Sequence, residues 1–217
     1  MDILNFISWI KAGKYSPTAP NNAVTVVGVP NPTRGDAYLP VTVPITTLQT
    51  NIGKLIGGGI VVSEWFENGV HKALIVSLNN LSINSIWTVP AQQSTILPGA
   101  ISISDGLRNT NAIIAQTGAP ATVNYAAGIA RLFNGGGFND WYLPSIGELT
   151  ICYNLRAIVN KVLTNNLQGN GFLPSVYWSS TGYFSHDGYS IDFSDSINYI
   201  TLKSSQEAVR AVRTHTF

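Results

Sequence analysis

The stretch GFNDWYLPS, residues 137–145, places the carboxylate of Asp140 among aromatic side chains and suggests a reaction centre. Asp187, Asp192 and Asp195 are the other aspartates in the second half of the chain. A glycosidase would need two carboxyl groups that face each other across a cleft. No spacing in the sequence indicates such a facing pair, and we therefore expect that the protein is not an enzyme.

Metal and nucleophile chemistry has equally little support. Cys152 is the one cysteine, so the chain can form neither an internal disulfide nor a thiol-rich metal site. It lies in a helical pattern, where we interpret it as a small buried hydrophobic residue. His71 has no second ligand at metal spacing, and the glycines at 135–137 lack the Lys-Ser/Thr of a phosphate loop. We expect no catalytic residue, no metal and no cofactor.

The charge balance limits the classes of partner. Twelve Lys and Arg residues oppose eleven Asp and Glu residues among 217, which gives a net charge of +1. Such a chain creates no field that would attract nucleic acid, so we expect no nucleic-acid partner. Only 11% of the residues are charged. Neutral polar residues must therefore cover much of the surface, which suits a subunit packed among others; a monomer solubilised by these residues is the alternative.

The N-terminus carries an apolar run of eight residues, Ile3 to Ile10. Without a basic region before it or a small-residue cleavage site after it, this run does not resemble a signal peptide. It is also much shorter than the ~20 residues that span a bilayer, so we expect no membrane insertion. It fits a short amphipathic helix that packs on its own domain or, as we prefer, inserts into a partner protein. The anchoring side chains would be Ile3, Phe6, Ile7, Trp9 and Ile10.

The segment from Tyr15 to about Lys54 is rich in proline and threonine. Its prolines exclude long helices but leave room for short edge strands at Val24–Val29 and Tyr38–Val43. The composition changes after this segment. We therefore divide the chain into an N-terminal anchor and arm, residues 1–54, and a globular domain, residues 55–217.

Strand patterns lie at both ends of the globular domain. Apolar runs at Ile60–Val62 and Ala73–Leu78 flank the pair Asn68-Gly69, which favours a tight two-residue turn and predicts a β-hairpin. From Val176 onward, apolar and polar residues alternate, with later runs near Asn198–Leu202 and Ala208–Thr214. We expect an antiparallel meander that closes the protein, with the last sheet contributed by the C-terminus.

Helical patterns lie between these strands. Asp105 can cap a helix over Gly106–Gln116, and a second pattern covers Val123–Phe133. Ser145 and Glu148 form the capping box of a third, long helix. The predicted fold class is α+β.

Four stretches carry a family resemblance: GGGIVV…HKALIVSL, GGGFNDWYLPSIGEL, VYWSST and EAVRAVRT. They stand in the order found in the domain that ends certain bacterial collagen-like adhesins, a family that includes retroelement-diversified phage and bacterial proteins. Residues 55–214 resemble this family, whose members are similar to C-type lectins. The resemblance implies a C-type lectin-like domain with binding loops on a rigid scaffold. The scaffold residues on the shared motifs are Asp140, Trp141, Pro144, Trp178, Arg210 and Arg213. We expect Asp140 to bond either nearby backbone or the guanidinium group of Arg210 or Arg213.

The diversified members of that family vary between the YWSST and VRAVR strands, an interval that corresponds here to residues 182–207. Its mixture of Tyr, Ser and Asn suits adaptable binding, because tyrosine offers a large contact area at low entropic cost. A plain polar sheet face is the alternative. The candidate ligand-binding residues are Tyr183, Phe184, His186, Asp187, Tyr189, Asp192, Asn198 and Tyr199.

Two activities of related proteins do not fit this sequence. The sulfatase-activating oxidase, which has a related fold, needs a pair of cysteines, and this chain has Cys152 alone. Sugar-binding lectins hold calcium with a Glu-Pro-Asn type of triplet, which is missing here. We therefore interpret SHDGYSIDFSDS as a solvated turn region.

The N-terminal segment resembles the attachment segments of tailed-phage fibre and decoration proteins. A layout of anchor, arm and lectin-like tip predicts a non-enzymatic bacteriophage virion protein that is assembled in the cytoplasm of the bacterial host. It would form a homo-oligomer, with a trimer favoured, contact other virion proteins through its N-terminus, and bind a host-surface glycan or protein. A purely structural capsid or tail component is one alternative. A bacterial surface adhesin is another, which the missing signal peptide argues against.

Overall fold

The computed structural model describes residues 23–31 and 34–44, and residues 50–217 except 118–124 and 196. By its internal contacts the chain divides into two compact units, Met1–Thr50 and Asn51–Phe217. The anchor helix predicted at the N-terminus lies outside the described residues.

The first unit contains a two-stranded antiparallel sheet. Strand β1 (Ala23–Asn31) pairs with strand β2 (Arg34–Pro44), and the register shifts between Val27 and Val29. Both strands predicted in this segment are confirmed, and both are longer than predicted. In a sheet of two strands each strand is an edge, so a proline that lacks an N–H group can be accommodated.

The second unit has the predicted α+β composition. Its helices are α1 (Gly106–Thr117), α2 (Ala126–Leu132) and α3 (Ile146–Asn166). Its strands are β3 (Leu55–Ile56), β4 (Gly59–Glu67), β5 (Val70–Ser77), β6 (Ser82–Ser85), β7 (Val176–Gly182), β8 (Asp187–Asp192), β9 (Asn198–Leu202), β10 (Glu207–Val209) and β11 (Val212–Thr216).

These strands form two sheets. One is antiparallel and has the order β11-β5-β4-β3. The other has the order β6-β10-β7-β8-β9 and is antiparallel except for a parallel contact between β10 and β7. Strands β7, β8 and β9 form a meander, as predicted.

The prediction for the last strand was wrong. The run Ala208–Thr214 does not extend the C-terminal meander, because the chain leaves that sheet at Arg210 and Ala211. Strand β10 lies between β6 and β7, whereas β11 pairs with β5 in the sheet of the hairpin. The crossing gives β5 a second partner, and an unpaired strand edge in the interior would leave backbone groups without hydrogen bonds.

The predicted hairpin β4–β5 is confirmed and lies at the centre of the unit. Asn68 and Gly69 form its turn with φ values of 51° and 79°. Val61 and Ile75 face a core cluster that contains Trp87, Trp141 and Trp178, while the alternate residues face a second cluster packed on α3. Burial on both faces explains why these strands are continuously apolar.

The predicted starts of α1 and α3 are confirmed, whereas the helix predicted over Val123–Phe133 covers only Ala126–Leu132. Asp105 caps α1 by accepting a hydrogen bond from the Arg108 N–H at 2.9 Å. Ser145 and Glu148 make both hydrogen bonds of the capping box at the start of α3. Cys152 is buried in α3, as predicted, and burial raises the pKa of its thiol to about 12.

Two glycine turns meet closely beside β3. A Cβ atom on Gly136 would lie 2.3 Å from Cα of Gly58, whereas one on Gly137 would meet no atom of the described residues within 4 Å. Both glycines have positive φ, 66° and 81°. Both positions therefore favour glycine because of their backbone conformation. Only at Gly136 would a side chain also clash with a neighbouring segment.

Substitution of these two glycines separates the cost of a left-handed backbone from the cost of a steric clash. We expect Gly136→Ala to lower the free energy of unfolding by ~3 kcal/mol or more, because two backbone segments must separate. Gly137→Ala is expected to cost only ~1–2 kcal/mol, the penalty of a left-handed conformation. Urea unfolding of both variants measures the difference, and equal losses would contradict the packing argument.

Candidate ligand-binding surface

The structure brings together five of the predicted ligand-binding residues at the turn between β7 and β8. The rings of Tyr183 and Phe184 lie 4.3 Å apart, and those of Tyr183 and Tyr189 lie 5.2 Å apart. Phe184 is 59% exposed. His186 is exposed in the same turn, and Asp187 begins β8. The turn therefore presents a compact aromatic cluster to solvent.

The other three predicted residues lie elsewhere. Asp192 ends β8, about 17 Å from Asp187 along an extended strand, and its Oδ1 accepts hydrogen bonds from Ser194. Asn198 and Tyr199 belong to the edge strand β9. Tyr199 pairs with Ser190 rather than with Tyr189, so its ring lies on the opposite face of the sheet. These residues do not join the aromatic cluster.

Three exposed isoleucines that the sequence did not indicate lie in a segment whose backbone adjoins the chain on either side of this turn. Ile96, Ile101 and Ile103 lie in the segment before α1, with large exposed fractions. This segment adjoins the end of β7, because Thr181 Oγ1 donates to the Ser102 carbonyl at 2.8 Å. The six residues Tyr183, Phe184, Tyr189, Ile96, Ile101 and Ile103 are called the aromatic–isoleucine patch. Exposed apolar patches of this kind mark interaction surfaces.

Lys203 holds the two loops of the patch in place. It is 1% exposed, and its ammonium group donates to three carbonyl oxygens: Thr95 at 2.9 Å, Phe184 at 3.1 Å and Ser185 at 2.7 Å. The ammonium also lies 5.0 Å from the ring centroid of Trp87. Burial lowers the pKa of Lys203. Since three acceptors match its three protons, the loops are ordered before any ligand arrives.

The stretch around Asp140 forms part of the scaffold. Of the two candidate arginines, Arg213 is the partner of Asp140, with Nε–Oδ1 and Nη2–Oδ2 distances of 2.6 and 2.8 Å. These hydrogen bonds hold the pKa of Asp140 below its usual range. Trp141 and Trp178 are fully buried in the core.

The remaining scaffold residues bind backbone groups. The carbonyl of Pro144 accepts a hydrogen bond from the Ser180 N–H at 2.7 Å. Arg210 is buried and donates to the carbonyl of Ser77 at 2.9 Å and to Asn80 Oδ1 at 2.9 Å. Both residues join segments that are far apart in the sequence, which is a structural role.

Two of the aspartates considered as catalytic candidates have partners within the protein. Asp140 is held by Arg213, and Asp192 caps its own turn. In the same part of the chain no group of three or more His, Cys, Asp or Glu side chains is placed to hold a metal ion. None of the described helices is both long and apolar enough to cross a membrane. The arrangement supports recognition through apolar contact.

The pairing of Asp140 with Arg213 predicts a stability change that depends on pH. We expect Asp140→Asn to lower the free energy of unfolding by about 1 kcal/mol at pH 7, a modest value because the carboxylate is half exposed. The folded pKa of Asp140 lies below the unfolded value of ~3.9, so the stabilisation is present above that value and is lost as pH falls through the folded pKa. Urea unfolding should therefore show a difference at pH 7 that disappears as pH falls through the folded pKa of Asp140. A variant as stable as the parent at pH 7 would refute the role of the pair.

The buried ammonium of Lys203 predicts local loosening on its removal. We expect Lys203→Met to speed amide hydrogen exchange at residues 183–186 and to lower the melting temperature, because three carbonyls lose their donor. Lys161→Met, at an exposed position of α3, is the matched control. Unchanged exchange in the turn would show that Lys203 does not order it.

Comparison with known proteins does not assign a family to the chain. No protein-family model matches it, and no curated protein matches it. Among solved structures, a fimbrial protein from Bacteroides ovatus is similar to it, with 16% sequence identity and a TM-score of 0.49. The similarity covers 68% of this chain and 36% of the fimbrial chain, so the chain spans about a third of the length of that structure.

Proposed function

We propose that the protein is a non-enzymatic subunit of a bacteriophage virion, a fibre or decoration protein, whose second unit binds a host-surface glycan or protein. The observation that carries the binding role is the aromatic–isoleucine patch. All of its side chains except the half-buried Tyr189 are exposed although they are largely apolar, and its loops are tied down by the buried Lys203. A rigid exposed aromatic group suits recognition, because little entropy remains to be lost on binding.

The proposal includes a C-type lectin-like fold for residues 51–217. Strand β11, near the end of this unit, pairs with the hairpin strand β5 near its beginning, so one sheet joins both ends. The binding turn follows β7, and buried residues of three segments support it: Trp87, Thr181 and Lys203. A sheet that joins both ends of the unit and a turn supported from several segments favour this proposal.

The virion assignment rests on the sequence pattern of the N-terminal segment and on the composition. A charged fraction of 11% suits a subunit that packs among copies of itself, for which we propose a homotrimer. The N-terminal apolar run would bind other virion proteins.

A purely structural capsid or tail component is the second candidate, and one observation favours it. Strand β9 is the edge of its sheet and exposes Ile200 and Leu202, next to the exposed Ile197. Exposed apolar edge strands tend to pair with other chains. In this case neighbouring subunits, rather than a host receptor, would cover the exposed apolar side chains.

Removal of the two most exposed aromatic rings of the patch tests the binding role. We expect the double variant Tyr183→Ala, Phe184→Ala to bind host bacterial cells at least ~10-fold more weakly than the parent, which corresponds to about 1.4 kcal/mol. Phe66→Ala is the matched control, because Phe66 is 71% exposed but lies near the tip of the hairpin β4–β5. Cell binding of fluorescently labelled full-length protein measures the effect, and circular dichroism verifies the fold.

The outcomes separate the candidates. Undiminished cell binding by the double variant would refute the patch as the receptor-binding surface. Cryo-electron microscopy of the particle with the patch buried between subunits would favour the structural component. Absence of the protein from purified phage particles, measured by mass spectrometry, would refute the virion assignment.

A further inference from the structure

Strand β4 contains a β-bulge that redirects its second half. Val61 pairs with Ile75 and Ser63 pairs with Leu74, so Val62 is an extra residue without a partner. Side chains alternate between the faces of a strand, and one extra residue moves every later side chain to the opposite face. Ser63 therefore shares a face with Val62, and Trp65 and Glu67 follow on that face.

The face selected by the bulge opens into a cleft of about 420 Å³. Trp65, Lys72 and Thr214 contribute to its floor from β4, β5 and β11. Asp105 and Tyr142 contribute to its walls near the starts of α1 and α3. The volume is within the range of small-molecule sites.

Glu148, at the buried end of the cleft, is already saturated by protein donors. Its Oε2 accepts from the backbone N–H groups of Gly106 and Ser145 at 3.0 and 2.7 Å, and its Oε1 accepts from the Tyr142 hydroxyl at 2.8 Å. Burial raises its pKa, and these donors oppose the rise. Glu148 therefore holds the walls of the cleft together. Its oxygen atoms are already occupied, so a ligand would contact the side chains nearer the opening.

The side chains nearer the opening combine one flat apolar surface with donors and acceptors. Trp65 remains more than one third exposed. Lys72 pairs with Glu67 beside it, and the carboxylate of Asp105 lies in the wall. The hydroxyl groups of Ser63 and Ser104 line the same cleft.

This combination matches the chemistry of a sugar ring. A pyranose has an apolar C–H face that can lie on an indole ring, and hydroxyl groups that both donate and accept hydrogen bonds. A phosphate-bearing ligand fits less well, because three carboxylates, those of Glu67, Asp105 and Glu148, line the cleft with the single ammonium group of Lys72, which is already paired. We propose that the cleft is a saccharide-binding site for a neutral or N-acetylated sugar, with Trp65 as the stacking surface and Lys72, Glu67 and Asp105 as orienting groups.

The opposite face of the hairpin supplies a matched control. Phe66 stacks on His71 at 4.8 Å, and His71 stacks on Phe217 at 4.3 Å. Phe66 is the neighbour of Trp65 and is more exposed, but it points away from the cleft. Removal of Phe66 therefore matches the loss of exposed aromatic area without altering the cleft.

The test is binding of the full-length protein to an array of neutral, N-acetylated and acidic oligosaccharides, followed by calorimetry on any neutral or N-acetylated member that binds. We expect such a member to bind, and Trp65→Ala to weaken it at least ~10-fold, while Phe66→Ala stays within ~2-fold of the parent. Asp105→Asn should also weaken binding, although asparagine keeps the helix cap. If Trp65→Ala proves unfolded by circular dichroism, Trp65→Leu keeps the apolar bulk, lacks the flat ring, and should show the same loss.

Three results would overturn the proposal: no array member binds, the bound member is insensitive to the Trp65 variants, or the acidic members or ATP bind in place of neutral sugars. The site does not depend on the proposed function of the aromatic–isoleucine patch. The double variant Tyr183→Ala, Phe184→Ala should bind the array sugar like the parent. Loss of cell binding in that variant and loss of sugar binding in the Trp65 variants therefore report on different surfaces.

Discussion

A buried guanidinium group holds together the parts of the second unit. Arg210 lies where the chain crosses from one sheet to the other, and burial lowers its pKa to about 10. No carboxylate of the described residues pairs with it. It donates instead to the carbonyl groups of Ser77 and Asn170 and to Asn80. A buried charge without a counterion is costly. The segment with Ser77 and Asn80 and the segment with Asn170 must therefore close around the guanidinium group for the fold to form.

The crossing at Arg210 determines where the aromatic stretch GFNDWYLPS lies. Once β11 joins β5, Val212 exchanges two backbone hydrogen bonds with Tyr142, at 2.8 and 2.9 Å. The next residue, Arg213, meets Asp140. Tyr142 then reaches Glu148 at the start of α3, which fixes one wall of the cleft. The stretch GFNDWYLPS therefore has a structural role: it connects the last strand to the long helix.

Sequence reasoning succeeded where the cause is local. The Asn68-Gly69 turn, the cap at Asp105 and the capping box at Ser145 depend on neighbouring residues, and the structure has all three. It failed where the cause is a distant contact. The division of the last strand requires the free edge of β5, and the burial of Lys203 requires carbonyl groups from positions 95, 184 and 185.

The candidate site shows the same limit. The aromatic cluster was predictable because tyrosine, phenylalanine and histidine occur together in one turn. The isoleucines of the patch were not predictable, because the sequence alone does not show whether an apolar residue is buried or exposed. Residues 95–103 also lack the periodicity of a helix or a strand. The bulge at Val62 was equally hidden, because a shift in register becomes visible only when β5 is paired with β4.

The short segment of residues 101–105 lies between the two proposed binding surfaces and bears on whether a ligand at one surface can affect the other. Ile101 and Ile103 belong to the patch, whereas Ser104 and Asp105 line the cleft. The buried Asn109 binds both backbone groups of Ser102, at 2.9 and 2.6 Å, and the Ile103 carbonyl accepts from the Gly147 N–H at 2.9 Å. These hydrogen bonds oppose a rearrangement of the segment when a ligand binds. Coupling between sites needs two states that the ligands distinguish, so occupancy of the cleft should leave the affinity of the patch unchanged.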